Sequence, residues 1–125
     1  MYIKSVTIEN FRCFGKKTTF DFNPGLTVLI GENDAGKSAV IDAIRYALGT
    51  TDQRWSKVDV SDFYNEDISL TITVSILFVD LSVPEAASFM ECLTTDDSGK
   101  DVLYFNWSVK LSIFYIKHCK SYVFL

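Results

Sequence analysis

The sequence predicts an α/β fold, on two periodicities and the order in which they occur. Apolar Ile68, Leu70, Ile72, Val74, Ile76 and Phe78 alternate with Ser69, Thr71, Thr73, Ser75 and Leu77. That period of two belongs to a strand with one buried and one wetter face, and hence to antiparallel pairing. At Val40, Ile41, Ile44, Ala47 and Leu48 the apolar positions follow the spacing of one helical face instead. A glycine-rich string, Gly31 to Ser38, joins that helix to a short apolar run, Leu26–Ile30.

Taken in order, Met1–Glu9 is rich in β-branched residues and predicts a first strand. Ile3 is out of phase with Val6 and Ile8, which points to a bulge between them. Asn10–Gly15 is a turn-like connection, and Thr18–Phe22 is a second strand. Asn23-Pro24-Gly25 is a strong turn. Leu26–Ile30 predicts a short buried strand feeding the glycine-rich loop, and Lys37–Leu48 the helix, with Gly49 placed to end it. Thr50–Asp67 sets Trp55, Phe63 and Tyr64 among charges and predicts a long surface excursion with little regular structure. Ile68–Phe78 is the alternating strand. Pro84 opens a short helix that runs to about Leu93. Thr94–Lys100 is a loop, and Val102–Val109 a further strand.

The last acidic residue is Asp101, and Leu111–Leu125 is aromatic and basic without turn signals. Lys117, His118 and Lys120 fit a buried strand poorly. A C-terminal buried strand is the plain alternative; the expectation is an unpaired tail, 111–125, beside a unit spanning 1–110, and the loss of acidic residues after Asp101 points to a frame-shifted or read-through origin.

Bulk properties narrow the class. A chain of 125 residues that is 48% hydrophobic and 22% charged can bury one real core. The net charge of −4 argues against a nucleic-acid footprint spread over the whole domain, although a local basic patch stays open. Cys13, Cys92 and Cys119 are odd in number and scattered, which suggests reduced thiols of a cytoplasmic protein rather than disulfides or zinc. His118 beside Cys119 lacks a second pair of metal ligands. Lys4, Glu9 and Arg12 interrupt any secretory signal, and no apolar run is long enough to span a membrane.

Gly31-Glu32-Asn33-Asp34-Ala35-Gly36-Lys37-Ser38 satisfies the phosphate-loop pattern G-x-x-x-x-G-K-[ST] at every fixed position. The glycines let the backbone curl until successive N–H groups converge on an anion. The N-terminus of the following helix adds its positive dipole end. Lys37 would reach the β- and γ-phosphates, and the Ser38 hydroxyl would ligate Mg²⁺. The strand–loop–helix context agrees with the string.

The start Ile8-Glu9-Asn10-Phe11-Arg12 and the Gly31–Ser38 loop together carry a family resemblance. The N-terminus resembles the RecF and SMC group of ABC-type ATPases, and within it the OLD-family ATP-dependent endonucleases; Asp62-Phe63-Tyr64 adds to the likeness. It covers residues 1–66 well and 67–110 loosely. The resemblance implies a P-loop NTPase fold, the N-terminal lobe of an ABC-type ATPase head, with a mixed sheet around the P-loop helix. It implies ATP and Mg²⁺ as cofactors, with DNA and a homodimeric partner in the full-length family.

The candidate nucleotide-binding set is then Arg12, Gly31, Asn33, Ala35, Gly36, Lys37, Ser38 and Ala39, with Ser38 also reaching Mg²⁺ through the nucleotide. Arg12 and Asn33 have plain alternatives, a solvated turn residue and a turn former. Asp34 reads as an exposed loop position. No apolar run ends in Asp-Glu, and Asp80 is more simply a strand-end residue than a Walker B stand-in. No signature motif, switch histidine or Toprim carboxylate cluster is found either. The expected function is the ATP-binding part of a DNA-processing ATPase, truncated and inactive alone. A small stand-alone nucleotide-binding or regulatory protein is the alternative.

Overall fold

A computed structural model describes residues 1–32, 36–49, 58–111 and 122–124. Strands β1 (Tyr2–Glu9) and β2 (Thr18–Asp21) precede helix α1 (Lys37–Leu48). Strand β3 (Ile72–Val79), helix α2 (Val83–Ser88) and strands β4 (Leu93–Thr95), β5 (Asp101–Val109) and β6 (Tyr122–Phe124) follow. They form one sheet in the order β2-β1-β3-β5-β4, with β6 also paired to β5. Every described pairing is antiparallel.

Alternation decides what the sheet buries. Ile72, Val74 and Ile76 of β3 are fully buried, flanked by Val6 and Ile8 of β1 and Trp107 and Val109 of β5. Cross-strand pairs on one face thus build the core layer. The register of β1 on β3 shifts between Ile3 and Ser5, the bulge that the phase of Ile3 predicts.

Helix α1 covers this layer. It buries Ala39, Val40, Ala43 and Ala47, while Ile41 and Leu48 remain exposed. The buried face is therefore rotated from the one expected. Alanines weigh little in a hydrophobic pattern, yet their small side chains let the helix backbone approach the sheet closely. Tyr46 fills the remaining gap: it stacks on Trp107 at 6.2 Å and meets Phe11 edge-on at 5.9 Å.

Three other expectations are corrected. Leu26–Ile30 forms no strand; Leu26 is 86% exposed, Val28 64% and Ile30 91%. The described strands pair among themselves, and none of them pairs with this segment. The excursion is not all surface, because Val58, Asp62 and Phe63 are buried. Two 3-10 turns, Val60–Asp62 and Tyr64–Glu66, hold that part; residues 50–57, Trp55 among them, lie outside the described residues. In the tail, Tyr122–Phe124 pairs with Asn106–Ser108 and Leu111 packs on the core, so these parts are not unpaired.

Candidate functional site

Gly36 is the junction on which the site turns. It caps the N-terminus of α1 with φ +87°, in the left-handed region that favours glycine. A Cβ there would also lie 2.7 Å from Cys13 Sγ and 2.7 Å from the Phe14 ring. The backbone conformation therefore calls for glycine, and the nearby Cys13 and Phe14 side chains would have to shift for anything larger.

The first helical bond of α1 runs from the Val40 N–H to the Gly36 carbonyl at 3.0 Å. The N–H groups of Lys37, Ser38 and Ala39 precede it, so they have no acceptor within the helix. Among the described residues no side chain caps this end, and its first turn carries no acidic residue. Such an end favours an anion. The Lys37 ammonium donates to the Gly31 carbonyl, so the lysine after the loop reaches back to the glycine that begins it. An open groove of about 590 Å³ runs beside these residues, lined by Thr27, Leu29, Lys37, Ser38, Ile41, Asp42 and Arg45. Ala39 is buried, which leaves its backbone as the only group it offers. Asn33, Asp34 and Ala35 lie outside the described residues. The left-handed glycine, the lysine and the hydroxyl are features that a magnesium–nucleotide phosphate site requires.

Arg12 sits on the turn that backs the loop, also at positive φ (+49°). Its Nε donates to Asp62 Oδ1 at 3.0 Å and its NH1 to Asp42 Oδ2 at 2.5 Å. Burial by itself would lower the pKa of Arg12, but the hydrogen bonds and charges of Asp42 and Asp62 outweigh it and raise the value. Asp62, only 5% exposed, also accepts from the Tyr46 hydroxyl at 3.3 Å and from the Asp59 N–H at 3.0 Å. Burial, reinforced by the Asp62 charge, raises the Tyr46 pKa. The structure thus brings Gly31, Gly36, Lys37, Ser38 and Ala39 together, with Arg12 behind them on carboxylates that sequence reasoning did not identify. Fifty residues separate Arg12 from Asp62, and no periodicity links them. The one available signal was Asp62-Phe63-Tyr64 as a string. Asp80 ends β3 at φ +54°, away from this cluster, on the rim of a separate hollow with Tyr2, Lys4 and Tyr104.

The comparisons agree with this geometry. The family model described as "AAA domain" matches residues 5–117. The chain is 45% identical over 49 residues to the chromosome partition protein Smc of Mycolicibacterium paratuberculosis, covering 39% of this chain and 4% of that protein. With Smc of Fusobacterium nucleatum the identity is 47% over 49 residues, with the same coverage. With Smc of Gloeobacter violaceus it is 33% over 82 residues, or 61% of this chain and 7% of that one. The chain thus spans a small fraction of these relatives. A solved structure described as "Structural biochemistry of ATP-driven dimerization and DNA stimulated activation of SMC ATPases" superposes with a TM-score of 0.64 at 20% identity, covering 98% of this chain and 69% of its own. A phosphate-loop NTPase fold and a family match over nearly the whole length lead to one conclusion: the chain belongs to the AAA-domain family.

Proposed function

We propose that this chain is the nucleotide-binding N-terminal portion of an ATPase that works in ATP-dependent DNA processing in the cytoplasm. The observation that carries the reading is the Gly36 junction: a left-handed glycine closely packed by Cys13 and Phe14, followed by an uncapped helix start and Lys37. Backbone N–H groups of Gly31, Asn33, Ala35, Gly36 and Ala39 would cradle the phosphates of ATP. Lys37 would exchange the Gly31 carbonyl for a phosphate oxygen, and Ser38 would hold Mg²⁺ through its hydroxyl. Arg12 would serve this set from the adjoining turn. Bound Mg²⁺ would supply charge neutralisation on the phosphates.

A homodimer and DNA are the partners proposed for the assembled protein, in keeping with the dimerization and DNA stimulation named for the SMC structure above. The OLD-type endonuclease reading rests on the resemblance of the Ile8–Arg12 start and the Gly31–Ser38 loop. The division into a 1–110 ATPase unit and a 111–125 tail is likewise proposed. No apolar run in the sequence ends in Asp-Glu, so no group is in hand to orient attacking water. The chain by itself should bind ATP without turning it over.

The test is equilibrium titration of Mg²⁺-ATP into wild type and Lys37→Ala. Charge-assisted contacts of about 1.5–3 kcal/mol each disappear with the ammonium, so binding should be lost. Equal affinity in the two proteins would refute the proposal. Hydrolysis that disappears in Lys37→Ala would refute the expectation of binding without turnover.

A further inference from the structure

We propose that Asp62-Phe63-Tyr64 is a clasp that positions the phosphate loop by gripping the turn behind it. Each of the three residues holds the 10–15 turn in a different way. Asp62 accepts from the Arg12 side chain through its carboxylate and, at 2.7 Å, from the Arg12 N–H through its backbone carbonyl. Phe63 forms an isolated bridge with Phe11, and both rings are fully buried. The Tyr64 N–H donates to the Asn10 carbonyl at 3.1 Å, and its ring lies 2.6 Å from where a Gly15 Cβ would stand. On its other side the same turn presses Cys13 and Phe14 against Gly36. Arg12 closes the circuit through Asp42, on the second turn of α1.

The tripeptide thus touches no residue from Gly31 to Ser38 in the contacts described, yet it sets the body against which Gly36 rests. Asp62 contributes direction as well as charge. Its side chain joins the turn, the 58–67 segment and, through Tyr46, the helix that follows the loop. A buried carboxylate with these partners fixes a geometry that apolar packing alone leaves freer. Asp62 and Tyr64 are therefore positioning residues: Asp62 acts through Arg12, and Tyr64 through the backbone of the turn that carries it. The proposal rests on reading Gly31–Ser38 as a nucleotide loop, but its own contacts do not depend on that reading.

The test uses the full chain with Asp62→Asn, Arg12→Lys and their double variant, and Val102→Ala as a remote core control. One arm reads amide hydrogen exchange of the 10–15 turn and of β5 separately, without nucleotide. The other reads the affinity for a fluorescent ATP analogue with Mg²⁺. Loosening the clasp should speed exchange in the turn, where the Arg12 N–H is bonded to the Asp62 carbonyl, about tenfold and leave β5 unchanged. It should weaken the analogue at least about tenfold, the size of one lost charged hydrogen bond. The double variant should be little worse than either single one, because the two residues act as one unit. Val102→Ala should lower the unfolding midpoint without a selective effect on the turn or on affinity. If Asp62→Asn does not fold, Arg12→Lys carries the same expectations. Unchanged exchange in the turn, or turn and β5 rising together as in a global loosening, would overturn the clasp. Additive losses of affinity would overturn the claim that Asp62 acts through Arg12. If the wild type binds no analogue, the nucleotide reading fails, and the exchange of the turn still decides the clasp.

Discussion

Two apolar segments of similar composition, Leu26–Ile30 and Ile72–Val79, have opposite fates. The second is strand β3, paired on both edges and fully buried at Ile72, Val74 and Ile76. The first forms no strand, is unpaired among the described residues and is open to solvent at Leu26, Val28 and Ile30. The difference lies in the neighbours, not in the residues. Alternating residues need only one covered face, and β1, β5 and α1 supply it. A continuous apolar run needs both faces and both edges covered. Only Thr27 and Leu29 of that run turn inward, toward the groove along α1. The phosphate loop is consequently supported on one flank, by the 10–15 turn and its partners, and joined on the other to an uncovered segment.

Substitutions can break this contrast, beginning with the largest effect. Ile76→Ala should cost about 2–5 kcal/mol, since it empties a fully buried site in the paired strand. Urea unfolding reads this as a lower midpoint. Gly36→Ala comes next, at about 1–3 kcal/mol for a non-glycine residue held at positive φ. The contact with Cys13 and Phe14 should make its loss of nucleotide affinity larger than its loss of stability, and parallel titration and unfolding check that order. Ile30→Ser should change stability by no more than about 0.5 kcal/mol, because the side chain is already in water. A drop as large as that of Ile76→Ala would mean that the segment is buried in solution.

The smallest expected effect lies far from the loop, at Glu85. The Ser82 backbone N–H, followed by the N-terminal ammonium and the Ser82 hydroxyl, lowers its pKa to about 2. A carboxylate depressed by folding stabilises above its ordinary pKa of about 4.3 and loses that contribution as pH falls toward 2. Glu85→Gln should therefore lower the melting temperature slightly at pH 7 and leave it unchanged near pH 2. Thermal unfolding at both values measures the difference.

What could be read in advance follows the same division. The alternation around β3 and the helix that starts at Lys37 were legible because each is a local pattern with a local cause. The bulge after Ile3 was legible from phase alone. The unpaired state of Leu26–Ile30 was not, because strand propensity is a property of the run and pairing is a property of its surroundings. Nor was the burial of Asp62 and Phe63. A short polar string with one aromatic reads as surface unless its partner, here the Phe11–Arg12 turn, is known to lie against it. The face of α1 was displaced because Ala39 and Ala43 carry little hydrophobic signal while fitting closest to the sheet.

The central claim is that Gly31–Ala39 is a nucleotide loop supported from the 10–15 turn. Amide hydrogen exchange of wild type and Lys37→Ala, with and without Mg²⁺-ATP, tests it most directly. Exchange should be slow along Ile72–Val79 and fast along Leu26–Ile30 in every sample. Protection should rise across Gly31–Ala39 only when wild type meets nucleotide. No change on adding Mg²⁺-ATP, or the same protection in Lys37→Ala, would contradict it.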